Sequence, residues 1–278
     1  MNDTDLAPTP TQSPAPNSLA ESLKHFKIAI PKSKITQLDN YCRLLWDWNT
    51  RFNLTRHTDY NKFISRDLAD SMALESFLQQ NERVLDVGSG GGVPGIVLAI
   101  LRPDLQIELC DATGKKALAL SEMVQELRLD IPVHHSKAET ILATRGKGTR
   151  FTTLTIRAVS RLVSLLKMVK PYWNVFDRLL LVKGSKWVEE RGEARHYNLM
   201  NKLALRCLKT YPMPASEQTP SEEEIINSVI LQICQKDDFE QLDKIINVHK
   251  NEKPEPQQEL RRRLPSKNIK RPKNKSKR

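Results

Sequence analysis

The 278-residue chain predicts an α/β fold, a mostly parallel seven-stranded sheet behind an N-terminal helical region. Three observations predict it. From residue 83 onward, short aliphatic runs alternate with segments of helical spacing. Several of those runs are apolar almost throughout, as strands covered on both faces are. A glycine-rich bend, Gly88-Ser89-Gly90-Gly91-Gly92, joins the first run to the helix that follows.

The elements are expected in this order. Residues 1–18 hold Pro8, Pro10, Pro14 and Pro16 among small polar residues and read as a disordered tail. Residues 19–80 read as a helical lead-in. Leu38, Tyr41, Cys42, Leu45 and Trp48 recur at steps of three or four, and Phe63, Leu68, Met72 and Phe77 mark one or two more helices. Trp46, Trp48 and Phe52 read as core of this region rather than as a base-stacking surface. Residues 81–240 read as the sheet-bearing domain. Its strands are expected at 83–87, 106–110, 131–135, 151–156 and 179–182, with a closing pair at 204–208 and 228–234. Its helices are expected at 93–101, 115–127, around Ile141-Leu142, and at 162–169. Residues 250–278 read as a second disordered tail.

Charge is concentrated in that tail. The net charge is +11, and residues 261–278 hold ten Lys or Arg and no acid, so 11 − 10 leaves +1 for the rest. Such a block attracts phosphate backbones without sequence preference. Cys42, Cys110, Cys207 and Cys234 share no zinc-type or redox-type spacing, which fits a reducing compartment. No signal peptide or membrane-length apolar run is visible, so the expected location is the cytoplasm. His134 and His135 have no third partner at metal spacing and read as strand-end residues; no metal is expected.

Ligands of open α/β sheets bind at the carboxyl ends of the strands. That rule gathers the glycine bend, Asp111, Lys137-Ala138-Glu139 and Arg157 on one rim. A Walker-type phosphate loop requires Gly-Lys-Ser/Thr, and this chain has Gly-Val-Pro-Gly at 92–95. A dinucleotide fingerprint requires glycine at 93, where Val93 stands. Asp86, two residues before Gly88, opposes a pyrophosphate and suits a cationic ligand such as the ammonium and sulfonium of S-adenosylmethionine. Asp111, closing the second strand, is placed to accept ribose hydroxyls. The bend therefore reads as a methyl-donor site, and the fold as a Rossmann-like class I methyltransferase.

Asp86-Val87-Gly88-Ser89-Gly90-Gly91-Gly92-Val93-Pro94-Gly95-Ile96 resembles the loop of the GidB (RsmG) family, bacterial enzymes that methylate guanine N7 in small-subunit (16S) ribosomal RNA. Trp48-Asn49 with Asn53-Leu54-Thr55 is similar to the family's Trp-Asn-x-x-x-Asn-Leu-Thr segment. Arg66, Asp70 and Ser71 resemble its Arg-His-x-x-Asp-Ser helix, and Asp111, Gly114 to Lys116, Glu139, Arg157-Ala158 and Lys183-Gly184 follow in the family's order. The likeness spans roughly residues 25–235. It implies donor-binding roles for Gly88, Val93, Ala138, Glu139 and Arg157, to which Asp86, Gly90 and Asp111 are added from the loop argument. It implies S-adenosyl-L-methionine as donor and the small-subunit RNA, or the assembled 30S particle, as partner. Asp67 stands where the family usually has His, and Ile156 where it usually has Ser. The basic tail and the Arg145–Arg150 stretch are further departures.

Guanine N7 has a lone pair and no proton, so it attacks without a general base. Arg157 is the expected catalytic residue, holding guanine O6, a phosphate or the donor, and its loss is expected to stop turnover while sparing the fold. Lys62, Arg66, Lys115 and Lys116 read either as an RNA-facing surface or as solvated helix faces. Lys183-Gly184 is a candidate neighbour of the target pocket. Three other functions remain open on the sequence alone: an RNA-binding assembly factor with a vestigial donor site, a methyltransferase of a non-RNA substrate, and a nicotinamide enzyme, whose fingerprint acid about twenty positions on is also satisfied by Asp111.

Overall fold

A computed structural model describes residues 18–212 and 227–238. The expected tails, 1–18 and 250–278, lie outside the described residues except for Ser18. Ser18 is the N-cap of α1 (Leu19–His25), its hydroxyl accepting from the Glu21 amide. Helix α2 (Lys32–Asn49) carries the expected stripe: Leu38, Tyr41, Cys42 and Leu45 are buried. Trp48 is only half-buried, as are Trp46 and Phe52, so these three rings do not join the core. Helix α3 (Tyr60–Lys62) passes through a π-helical stretch (Phe63–Leu68) into α4 (Ala69–Glu75).

The strands are β1 (Arg83–Val87), β2 (Gln106–Asp111), β3 (Val133–His135), β4 (Phe151–Arg157), β5 (Phe176–Lys183), β6 (Leu203–Pro212) and β7 (Asn227–Gln235). They form one sheet in the order β3-β2-β1-β4-β5-β7-β6. Pairing is parallel from β3 to β5; β7 runs antiparallel to both β5 and β6. The helices between strands are α5 (Gly95–Leu101), α6 (Gly114–Glu126), α7 (Ala138–Ala143), α8 (Leu162–Val169) and α9 (Trp187–His196). The aliphatic runs read from the sequence are the strand centres. Helix α9 escaped that reading because its ten residues bury only Ala194, leaving no apolar period to detect. Helix α5 starts at Gly95 rather than Val93, with Pro94 at its N-cap.

The two faces of the sheet differ in chemistry. Because side chains alternate along a strand, Leu85, Val87, Leu154, Ile156, Leu179, Leu181, Leu231 and Ile233 share one face. That face packs with α7, α8 and Ala194 of α9 in a continuous apolar core. Positions one residue away carry Asp86, Thr153, Thr155, Arg178 and Gln232, all buried. Register sets them side by side: Asp86 opposite Thr155, Thr153 opposite Arg178. Buried polar groups need partners, and the lead-in supplies them. Arg178 is 1% exposed and bonds Thr153 Oγ1 (2.9 Å), Gln232 Oε1 (3.1 Å), the Phe77 carbonyl (2.6 Å) and Glu82 Oε1 (2.7 Å). Glu82 also accepts from Thr153 at 2.8 Å. This knot stitches the end of the lead-in to the amino ends of β4 and β5 and to the carboxyl half of the antiparallel β7.

Arg178→Ala would leave Glu82 buried without its cation. Breaking a buried pair from one side costs about 3–5 kcal/mol. Urea unfolding of the variant is expected to show a loss of that size.

Candidate methyl-donor site

The bend after β1 is built from backbone. Gly88 and Ser89 amides both donate to the Cys110 carbonyl, at 2.9 and 3.0 Å, tying the turn to the end of β2. Gly88, Gly90 and Gly92 have φ of 69°, 56° and 98°, a region that disfavours any side chain. A Cβ at Gly88 would also meet Val159 Cγ2 at 2.6 Å. The opposite wall comes from the lead-in. Tyr41 OH donates to the Gly91 carbonyl at 2.8 Å. Asn49 Oδ1 accepts the amides of Leu54 (2.7 Å) and Thr55 (2.9 Å), folding that stretch back so that the Leu54 carbonyl and Leu45 sit against Gly91. The Trp-Asn-x-x-x-Asn-Leu-Thr resemblance thus has a structural reason.

Asp86 has a different task from the one read in the sequence. It is 1% exposed, and its carboxylate accepts from Thr155 Oγ1 (2.9 Å) and from the Gly95 amide (3.1 Å). It lies beneath the bend and holds β4 and the start of α5, rather than offering oxygens to a ligand. Burial raises its pKa to about 6, against the lowering effect of the bonds from Ser89, Thr155 and Gly95. Gly95 is glycine because a Cβ there would stand 2.6 Å from Asp86 Oδ2.

Asp111 sits where the sequence reading put it, at the end of β2. Its Oδ2 accepts the Gly90 amide at 3.0 Å and its Oδ1 the Thr113 amide at 2.8 Å. Each carboxylate oxygen keeps a second acceptor direction. Ala138, buried, and Glu139, half-buried, open α7 just beyond β3. Val93 is half-buried within the loop. These residues share the carboxyl-end rim, as expected from strand order.

Arg157 ends β4 and is gripped from the lead-in. Its Nη2 lies 2.7 Å from Asp67 Oδ1 and its Nε 2.8 Å from Asp70 Oδ2. Asp67 also meets His57 Nδ1 at 2.9 Å, and Asp70 accepts from Tyr211 OH at 2.7 Å. Burial works against the charge of Arg157, but the Asp67 and Asp70 carboxylates outweigh it and raise its pKa. Burial raises Asp70, opposed by Arg157 and by the Tyr211 bond. Asp67 Oδ2 is buried with no hydrogen-bond partner among the described residues. His57, Asp67, Asp70, Tyr41 and Tyr211 were not expected as site residues. Asp67 and Asp70, three apart among buried helix positions, carried the one available signal, since unpaired buried acids demand a cation.

Downstream of Arg157, Ala158 has φ of 56° and Val159 is 42% exposed, leaning on Gly88. Lys183 Nζ donates to the Ser160 carbonyl and to Glu190 Oε2, each at 2.7 Å, so it braces this segment from the end of β5. Of the candidate RNA-facing cations, Lys115 lies 5.8 Å from the Phe52 ring centroid and Lys62 pairs with Asp59. His134 bonds Glu108 Oε2 at 2.7 Å, and Arg145 pairs with the same carboxylate. Cys42, Cys110 and Cys234 are buried and Cys207 exposed, all as free thiols. Among the described residues, no helix is long and apolar enough to cross a membrane.

A parallel sheet closed by an antiparallel β7-β6 pair, with a glycine bend after β1 and an acid ending β2, defines a Rossmann-like methyltransferase. The family model described as rRNA small subunit methyltransferase G (GidB) matches residues 34–214. A "Ribosomal RNA small subunit methyltransferase G" from Rhodopirellula baltica is 45% identical over 204 residues, spanning 73% of this chain and 87% of that protein. Proteins of the same name are 32% identical in Roseiflexus sp. (70% and 83% covered) and 37% identical in Sorangium cellulosum (64% and 76%). The chain belongs to the rRNA small subunit methyltransferase G family.

Arg157→Ala leaves the buried Asp67 and Asp70 carboxylates without their arginine, with His57 and Tyr211 still beside them, so a loss of stability of up to about 3–5 kcal/mol is expected in urea unfolding. Asp86 gives a pH signature. Its folded pKa of about 6 lies above its unfolded value of 3.8. The folded state therefore binds more protons between those values, and stability from this group rises as pH falls through 6. Asp86→Asn lacks this contribution. Moving from pH 7 to pH 5 should shift the stability difference by about 1 kcal/mol in favour of the wild type, read by urea unfolding at both pH values.

Proposed function

We propose that this chain transfers the methyl group of S-adenosylmethionine to N7 of a guanine in small-subunit ribosomal RNA. The observation that carries the donor assignment is Asp111 bonded to the Gly90 amide across the positive-φ bend. The residues fit the donor: backbone at Gly90 is open to close approach, and Asp111 keeps acceptor directions for two ribose hydroxyls. Val93, Ala138 and Glu139 would hold the adenosine end, and the Arg157 side of the rim lies toward the transferred group. When bound, the donor supplies a methyl already activated by the positive sulfur.

The chain's own part is positioning and charge. Arg157, oriented by two carboxylates, cannot serve as a base at any ordinary pH. It would fix the acceptor or donor in line, and alignment is a large share of such a reaction. A nucleophile without a proton to lose suits this arrangement. The intact bend and Asp111 speak against a vestigial donor site. The relatives' names favour ribosomal RNA over a non-RNA acceptor, and a cytoplasmic location accords with that substrate.

Calorimetry with S-adenosylmethionine should show one site, and Asp111→Ala should weaken it about tenfold to a hundredfold, the loss of charged hydrogen bonds. Labelled methyl should pass to small subunits from cells lacking the protein and stay at guanine N7 on mass mapping. Arg157→Lys keeps the charge but not the two-armed grip. Its turnover should fall at least tenfold while donor affinity changes less. Transfer to another atom, or donor heat that is absent, would overturn the reading.

A further inference from the structure

A second anion-seeking feature lies far from the donor rim. Helix α9 and the start of β6 enclose a recess of about 430 Å³, a volume within the roughly 300–1,000 Å³ of ligand-sized clefts. Arg191, Arg195 and Lys236 line it together with Met200, Leu203 and Leu205, and no acid is among its described lining residues. Arg191 and Arg195 stand one helical turn apart, so they share a face of α9. Lys236 is fixed there by the edge of the sheet: its amide donates to the Lys202 carbonyl (3.0 Å) and its Nζ to the Asn201 carbonyl (2.8 Å). Two of the three acids of α9 are engaged elsewhere, Glu190 with Lys183 and Glu193 with Arg161, and Glu189 is not among the residues that line the recess. Arg195 is exposed, and its guanidinium has no partner among the described residues. Since residues 1–260 sum to only +1, three cations around one cleft, with no acid among its described lining residues, is a local excess rather than a share of a general charge.

The position matters as much as the charge. Leu203 pairs with Gln235, and Cys234 pairs with Arg178 near the start of β5. The recess is therefore at the amino-end side of the sheet, about 25 Å from the donor rim by the length of an eight-residue strand. No small substrate spans that distance, whereas a folded RNA does.

We propose that this recess is a second docking point for the RNA substrate, taking one nucleotide with its phosphate on Arg191, Arg195 and Lys236 and its sugar or base on the apolar floor. The proposal rests on the RNA reading above. Two anchors on one large substrate raise affinity through effective concentration without touching the chemistry, so the recess acts on binding and leaves the methyl step alone.

The test is equilibrium binding of the small subunit by the full-length protein across a salt series, independent of methyl transfer. For Arg191→Ala/Arg195→Ala/Lys236→Ala, affinity at moderate salt should fall tenfold or more. The slope of log affinity against log salt should become shallower by about 1, for the one phosphate no longer neutralised. Donor affinity by calorimetry should stay unchanged. Arg195→Glu alone, at an exposed side chain without partners, should give the same changes in smaller measure and guards against misfolding of the triple variant. Unchanged affinity and slope in Arg195→Glu and in the triple variant, with donor binding intact, would overturn the proposal. Wild-type protein that binds the subunit with the recess-dependent slope but transfers no methyl would instead strike the functional reading and leave the recess standing.

Discussion

A buried polar group must be paired, and here one face of the sheet carries a row of buried polar groups among its apolar ones. Asp86, Thr153, Thr155, Arg178 and Gln232 lie in adjoining registers under the lead-in helices, with Arg157 at the end of the row. None can be left facing hydrocarbon, since an unpaired buried charge costs several kcal/mol. The lead-in answers group by group. Glu82 and the Phe77 carbonyl meet Arg178, while Asp67 and Asp70 meet Arg157. The helical region is thus a covering layer whose position is dictated by charge, and it cannot slide without breaking several bonds together. The apolar face opposite is less particular, because hydrophobic burial is non-directional.

This arrangement makes the donor rim depend on the lead-in from three sides. Tyr41 holds the carbonyl of Gly91, the Asn49-folded segment lies against the same glycine, and Asp67 with Asp70 aims Arg157. A rim of backbone amides and one arginine gains rate only if those groups stand still before the reactants arrive, because reorganisation at the moment of transfer forfeits the benefit of preorganisation. Asp86 contributes to that stillness from below. Its carboxylate joins β4 to the first turn of α5 directly beneath the bend, and the cost of burying it is only partly offset by its hydrogen bonds. The Asp67 carboxylate bridges Arg157 and His57.

Much of the fold was legible because its signals are local. Each strand centre is an aliphatic run, and the bend is a cluster of glycines whose positive φ no other residue tolerates well. The place of Asp111 at the end of β2 was legible because it follows from strand length alone. Helix α9 was not legible, for its outer surface is charged and it buries a single alanine.

The sequence by itself determined the element order, the parallel sheet, the bend and the acid that closes β2, since all of these follow from short-range periodicity and backbone sterics. The tertiary structure alone decided what the charged residues do. Asp86 turned out to hold the bend rather than offer itself to a ligand, and Arg157 to be bound by acids 90 and 87 positions earlier in the chain, at 67 and 70. Pairings between residues so distant depend on which strand lies beside which and on which face a side chain emerges. No local pattern encodes either, because a single-residue change of register would turn the polar row to the other side of the sheet.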